Sequence, residues 1–391
     1  MMRVVMNGLA ALKPKTGVGQ YIVHLHRELE RQLGPKAVGL FPGERIRSFA
    51  AMVQPSTGRK SPAGGKGFTH GRVAKAAKIA AKAAAATHFQ AYTHSFRCDL
   101  YHEPNFLPFR SCLPTIVTAH DLSVMRFPEW HPADRVIAHE RAFVAGLERA
   151  AHVIVGSDTV RQEIMQYLGL PAERVTRVYY GISAAFRPRI RSEYESVLTR
   201  LGLPPRFFLC VGTIEPRKNL LVALRAFADL PGSIRSACPL VLAGPWGWKS
   251  AETQLYYEQT ARPAGAIHLG YVADEDLPAL YSASAALLFP SRYEGFGLPP
   301  VETLACGGRV VASDIPVVRE ALGRHATFLN PDDVAAWSAT MRTLAETPNR
   351  IDSSGILHTR KFTWERTARE TIAVYQNVLG LKDPLPARLA A

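Results

Sequence analysis

Two short segments carry residue types whose spacing suits the handling of a phosphorylated, polyhydroxylated small molecule. In the first, Glu294 and Glu302 bracket Gly295, Phe296, Gly297, Leu298, Pro299 and Pro300. The apolar run Ala286-Leu287-Leu288-Phe289 reads as a strand ending just before them. The two prolines read as the first turn of a helix. A strand, a glycine turn and a helix start together aim backbone N–H groups at whatever sits above the strand's C-terminal end. Carboxylates there accept from hydroxyls, and N–H groups bind phosphate. The blander interpretation is a Gly/Pro turn with two solvated acids, and the spacing argues against it. The second segment is Val211-Gly212-Thr213-Ile214-Glu215-Pro216-Arg217-Lys218-Asn219, directly after the apolar run Phe207–Val211. Arg217 and Lys218 fall at a helix start, where cations oppose the helix dipole unless an anion joins them. A diphosphate resolves that conflict, with bidentate contacts from the arginine and a point charge from the lysine.

The elements that must position these residues alternate along the chain. Val4-Val5-Met6 precedes a helical pattern from Val18 to Leu33. Thr115–Thr118 runs to His120-Asp121, and apolar spacing predicts a helix over 132–150. His152–Val155 leads to Ser157 or Asp158 as the N-cap of a helix over 159–168. After residue 200 the rhythm restarts, with strands predicted at 207–211, 240–243, 267–269, 286–289 and 309–312 and helices at 219–229 and 363–379. Apolar runs alternating with helices predict parallel sheets covered on both faces, an α/β chain of two doubly wound halves. The expected division is 1–190 and 191–391, with a connection near 186–205 and a last helix that crosses back to the first half.

Composition narrows the function. Of 391 residues, 47% are hydrophobic and 20% charged, which excludes disorder of the whole chain. Five scattered cysteines suit reduced thiols in a cytosol rather than a disulfide framework or a zinc site. The N-terminus lacks the apolar stretch of a secretory signal, and nothing is long and apolar enough to span a bilayer. The net charge of +14 is uneven: residues 1–200 hold 28 Lys and Arg against 15 Asp and Glu. Ten of those cations fall between Glu44 and Asp99 with no acid among them. They span a Gly/Pro-rich stretch over 42–70, which reads as a mobile loop, and a strong helix former over 71–87 that places Lys75, Lys78 and Lys82 on one face.

The chain resembles the retaining nucleotide-sugar glycosyltransferases of family 4, which have the two-domain, Rossmann-like GT-B architecture. The likeness rests on Thr16-Gly17-Val18-Gly19, His120-Asp121-Leu122, Gly212-Thr213 with Arg217-Lys218-Asn219, the pair Glu294…Glu302, and Phe362-Thr363-Trp364 before the final helix. It implies that the donor lies on the C-terminal half. Arg217 and Lys218 hold its diphosphate without a metal, Glu302 binds the ribose, and the backbone at Val272 contacts the base. Glu294 and the N–H groups of Phe296, Gly297 and Leu298 take the sugar and phosphate, in a site that includes Thr213. Gly17 and Gly19 allow close approach of the N-terminal backbone. His120 touches the donor sugar or stabilises charge at the reaction centre, with Asp121 capping or orienting it. The other histidines, 102, 131 and 139 among them, are read as structural or acceptor-side. Together with Phe127–Pro132, these motifs imply transfer of mannose from GDP-mannose in surface-polysaccharide assembly.

UDP- or dTDP-sugar transfer and an epimerase on the same fold stay open. A dinucleotide oxidoreductase is disfavoured because Ile22 stands where a third glycine belongs. A nucleic-acid binder is disfavoured because Phe68 is the one aromatic residue in 57–86. The basic stretch is read instead as a contact for an anionic membrane surface, through Lys75, Lys78 and Lys82, on the cytoplasmic face where a polyprenyl-diphosphate acceptor would reside.

Overall fold

The computed structural model describes residues 2–12, 17–43 and 70–381; within these, the side chains of 70–82 and of Arg141 are not described. Two six-stranded sheets, parallel throughout, organise the chain. The first contains β1 (Val4–Asn7), β2 (Val38–Phe41), β3 (Leu100–Glu103), β4 (Thr115–Ala119), β5 (His152–Val155) and β6 (Val175–Arg177), in the order β2-β1-β3-β4-β5-β6. The second contains β7 (Phe208–Val211), β8 (Leu240–Ala243), β9 (Ile267–Gly270), β10 (Ala286–Phe289), β11 (Val310–Ser313) and β12 (Thr327–Leu329), in the order β12-β11-β10-β7-β8-β9. Each sheet reverses its winding once, between β1 and β3 and between β7 and β10. Open α/β sheets bind ligands in the crevice such a reversal opens at the strands' C-terminal ends. The GT-B expectation is met: two doubly wound sheets, with the glycine turns at their carboxyl edges.

The helices that matter here start at those edges. Helix α1 (Gly17–Leu33) buries Tyr21, Ile22, Leu25 and Leu29, spaced to line one face. Helix α2 (His70–Phe96) contains the positions of Lys75, Lys78 and Lys82. Helix α3 is Ala133–Arg149, and α4 (Asp158–Leu168) is capped by Ser157, whose Oγ accepts from the Val160 N–H at 3.2 Å. Beyond β7 come α5 (Leu220–Ala228), α6 (Leu298–Ala305) and α7 (Pro316–Leu322). The last, α8 (Trp364–Val378), is capped by Thr363 and returns to pack against α1. Its Tyr375 hydroxyl lies 2.6 Å from Nδ1 of His102 on β3.

The sequence did not signal β2, β3, β6 or β12. In β3 the run Tyr101-His102-Glu103 is polar, yet all three residues are buried. Internal hydrogen bonds make that burial tolerable. His102 bridges Tyr375 and Thr118, and Glu103 accepts from Asn7 Nδ2 at 2.7 Å and the Tyr101 hydroxyl at 2.6 Å. The charged part of the expected 42–70 loop lies outside the described residues.

Candidate active site

The loops after β7 and β10 are stitched into one unit. Asn219 adopts a left-handed conformation (φ 52°) just before α5, and its Nδ2 donates to the Pro290 carbonyl at 3.1 Å and the Pro331 carbonyl at 2.7 Å. The Arg292 N–H donates to the Arg217 carbonyl at 2.9 Å. This stitching brings Glu294 against the tight turn Pro216–Lys218. Arg217 donates from one terminal nitrogen to Glu294 Oε2 at 2.6 Å, and Lys218 Nζ donates to Glu294 Oε1 at 2.5 Å. Arg217 Nε also pairs with Glu215 at 2.6 Å. From the sequence, a diphosphate is the anion that the two cations require. In this structure the protein's own carboxylates fill that role. The pairing joins residues 77 positions apart, and only the adjacency of β7 and β10 brings them together.

Electrostatics follow from burial. Desolvation raises the pKa of Glu294, but Arg217 and Lys218 outweigh it and hold the carboxyl down at about 2. Lys218 is lowered, first by burial and then by Arg217, against the pull of Glu294. Glu215 is raised by burial, against both cations. The site therefore sets two largely buried cations beside one firmly ionised carboxylate.

Helix α6 starts above this cluster. Gly297 takes φ 93°, a conformation open to glycine, and turns the chain into the helix. The first N–H groups of a helix have no partner within it, and here they belong to the residues after Gly297. Glu302 sits in the second turn and accepts from the Tyr281 hydroxyl at 2.9 Å. Burial raises its pKa to about 7, with Tyr281 opposing and Asp274 adding. Phe296 is buried, its ring 5.3 Å from that of Tyr180 and 5.4 Å from that of Phe362. Its side chain therefore braces the two sheets, leaving its backbone for the turn. Thr213 lies in the loop after β7, and Val272 follows β9, half-buried against the core.

The first sheet meets this loop edge on. A Cβ on Gly295 would stand 1.9 Å from the His120 carbonyl oxygen, so only glycine fits. Ser157 Oγ donates to the Gly295 carbonyl at 2.9 Å. The Tyr293 hydroxyl donates to Glu163 at 2.6 Å and accepts from the Leu122 N–H at 3.0 Å. Glu320 on α7 accepts from the N–H groups of Asp158 (2.6 Å) and Thr159 (2.9 Å), capping α4 from the opposite sheet. None of these bridges was legible in the sequence. His120 is half-buried within its own half. Its Nε2 donates to the Pro104 carbonyl at 2.8 Å, so Nδ1 accepts from the Tyr180 hydroxyl at 2.8 Å. Burial keeps the ring neutral. With both nitrogens engaged, the imidazole shapes the cleft wall in this conformation, and its backbone carbonyl is what faces the Gly295 turn. Gly17 opens α1 with nothing within 4 Å of an added Cβ, while Gly19 is buried two residues on. Among the described residues, no group of three or more His, Cys, Asp or Glu is arranged to hold a metal ion.

The two halves match two described families. Residues 15–186 match "Glycosyltransferase Family 4" and residues 199–355 match "Glycosyl transferases group 1". An O-antigen chain mannosyltransferase B of Escherichia coli is 33% identical over 374 residues, covering 93% of this chain and 96% of that protein. A serotype-specific mannosyltransferase, WbdA, of the same species is 29% identical over 68% of this chain but only 34% of its own length. The fold is shared with Anabaena HepE, solved with UDP and glucose, at a TM-score of 0.70 and 17% identity, covering 96% of this chain and 100% of that one. With the E-x7-E loop at the second sheet's winding reversal and an Arg-Lys turn bound to it, the chain belongs to glycosyltransferase family 4, in the GT-B architecture.

Proposed function

We propose that this protein moves a mannosyl group from GDP-mannose, with retained anomeric configuration, onto a saccharide or lipid-linked saccharide during surface-polysaccharide assembly. The observation that carries the proposal is the Arg217–Glu294–Lys218 cluster beneath the start of α6, at the edge where open α/β sheets take their ligands. Two largely buried cations beside helix N–H groups suit a nucleoside diphosphate leaving group. In this reading Arg217 and Lys218 engage the diphosphate, and Glu294, relieved of one partner, accepts from the donor sugar. The N–H groups of Phe296, Gly297 and Leu298 bind phosphate and sugar oxygens. Glu302 accepts from the ribose, with Thr213 and the backbone at Val272 toward the base. Gly17 supports close backbone approach, since no protein atom within 4 Å demands a glycine there. The reading assigns His120 the cleft wall on the sugar's far side. The mannosyl and O-antigen assignments rest on the relatives' names.

A nucleotide panel tests donor choice. GDP, UDP, ADP and dTDP are compared by thermal shift, where a ligand at a hundredfold excess over Kd adds ~2.7 kcal/mol. GDP should raise Tm most; a larger shift with UDP, the nucleotide bound to HepE, would reassign the donor. The same assay tests Glu302. Its carboxyl titrates near pH 7, and only the ionised form accepts from two ribose hydroxyls. GDP affinity should therefore rise about tenfold from pH 6 to pH 8. Glu302→Gln should bind weakly and lose that dependence; an unchanged pH profile in the variant would remove Glu302 from the ribose.

The basic stretch extends the proposal to the cytoplasmic face of a membrane. Lys75, Lys78 and Lys82 would meet anionic lipid, and each cation near such a surface contributes ~1 kcal/mol. Their side chains lie outside the described residues. No helix among the described residues is long and apolar enough to cross a membrane.

A further inference from the structure

Facing the Arg217 cluster, the first sheet presents three polar side chains that donor binding does not use. Asp121 follows β4, His131 precedes α3, and His139 lies in the second turn of α3. His131 is 3% exposed, and neither ring nitrogen has a partner in the protein. His139 is 8% exposed. Its Nδ1 donates to the Arg135 carbonyl at 3.0 Å, which leaves Nε2 as an unpaired acceptor. Asp121 Oδ1 accepts from the Ser123 N–H at 2.8 Å. The three belong to one locality: the Phe106 ring that borders His139 also lies 5.5 Å from the ring of His120, the neighbour of Asp121, and Arg135, whose carbonyl His139 engages, stacks 4.7 Å over the Trp248 ring beside His131. Aromatic faces border it. The Phe106 ring lies 5.6 Å from His139 and the Trp248 ring 5.9 Å from His131.

Buried polar atoms in native proteins are paired, so an enclosed imidazole with two unmade hydrogen bonds calls for a partner. The inventory decides its chemistry. His139 Nε2 and Asp121 accept, while His131 supplies one donor and one acceptor. A set dominated by acceptors matches a ligand rich in O–H donors. A phosphate, which only accepts at its ionised oxygens, leaves most of the set unsatisfied. Burial also keeps both imidazoles below their ordinary pKa, with the Arg135 charge adding to it at His131 and the hydrogen bond to the Arg135 carbonyl opposing it at His139. Aromatic faces beside hydroxyl partners suit a sugar ring.

We propose that Asp121, His131 and His139 form a subsite for the hydroxyl groups of the acceptor's terminal sugar, roofed by Trp248. The roof comes from the opposite sheet. Trp248 Nε1 donates to the Trp130 carbonyl at 3.0 Å, and Lys249 Nζ donates to the Glu129 carbonyl at 2.6 Å. The subsite is thus complete only when the two halves close on each other, which couples acceptor capture to assembly of the reaction centre. The inference rests on the glycosyltransferase reading and adds to it the chemistry of the acceptor end.

The test uses the full chain, GDP-mannose, and octyl glycosides of mannose, galactose and N-acetylglucosamine as acceptor probes. His131→Phe and His139→Leu should each raise acceptor KM about tenfold or more, the loss of one to two hydrogen bonds. GDP affinity should change less than twofold. His131→Gln, which keeps a donor and an acceptor, should recover most of the loss; His139→Leu decides the matter if the phenylalanine variant does not fold. Unchanged acceptor KM in His139→Leu with wild-type Tm, or unchanged KM in a folded His131→Phe, would overturn the subsite. Inhibition by octyl phosphate that disappears in His131→Gln would overturn the hydroxyl assignment in favour of a phosphate. A wild type that binds GDP but glycosylates none of the probes would also overturn it. A wild type that binds no nucleoside diphosphate would sink the transferase reading and the subsite with it.

Discussion

Replacing Glu294 by glutamine lowers the transfer rate by at least ~100-fold, the usual loss when one preorganised charge contact is removed from a reaction centre. The same change lowers stability. Glu294 is the shared partner of Arg217 and Lys218, all three largely buried. Removing one member of a buried ion pair typically costs about 3–5 kcal/mol, because the remaining charges are left uncompensated. The sign against pH is fixed by a carboxyl lowered from 4.5 to about 2. Its contribution is complete above the unfolded value and is lost as pH falls through the folded one. A nucleoside diphosphate supplies the missing anion, so GDP should raise the Tm of Glu294→Gln more than that of the wild type. A GDP-release assay and thermal denaturation read both effects. Turnover within threefold of wild type, or equal Tm gains, would remove Glu294 from the donor site.

Gly295→Ala is expected to be nearly as severe in rate while sparing the nucleotide. The new Cβ would stand 1.9 Å from the His120 carbonyl oxygen and 3.2 Å from the Asp121 Cβ. The nearest of these atoms is backbone at the end of a strand, so the two halves must move apart by about an ångström or more. Misplacement on that scale can cost about 100-fold in rate. Arg217, Lys218 and Glu302 lie on the same side of the contact as the substituted loop. GDP affinity should therefore hold within a few-fold while kcat falls. A kcat within threefold of wild type would show that the Gly295–His120 contact does not set the geometry of reaction.

How much of this was legible before the structure depends on sequence separation. The E-x7-E loop, the Arg-Lys turn and the glycine helix start were read from local spacing, because strand ends, prolines and glycines write their geometry into neighbouring residues. The helix over 159–168 was placed, and the structure settles its cap on Ser157 rather than Asp158. Buried polar strands escaped, since β3 hides His102 and Glu103 behind long-range hydrogen bonds that no apolar pattern announces. The anion for Arg217 and Lys218 was sought outside the protein because Glu294 is far away in sequence and becomes adjacent only when β10 returns beside β7. His120 was singled out for its place at a strand end. Its engagement by Tyr180 and the Pro104 carbonyl depends on chain that folds back from 60 and 16 residues away. The cross-sheet bridges of Tyr293, Ser157 and Glu320 are invisible for the same reason: each joins residues more than 100 positions apart.

The most direct measurement of the central claim is proton NMR of the reaction between the purified protein, GDP-mannose and an octyl mannoside acceptor. The anomeric signal of the transferred sugar should appear in the α configuration of the donor, with one GDP released per linkage formed. A β-linked product would contradict retention and the roles built on it, and the absence of mannosyl transfer alongside turnover of a UDP- or dTDP-sugar would contradict the donor.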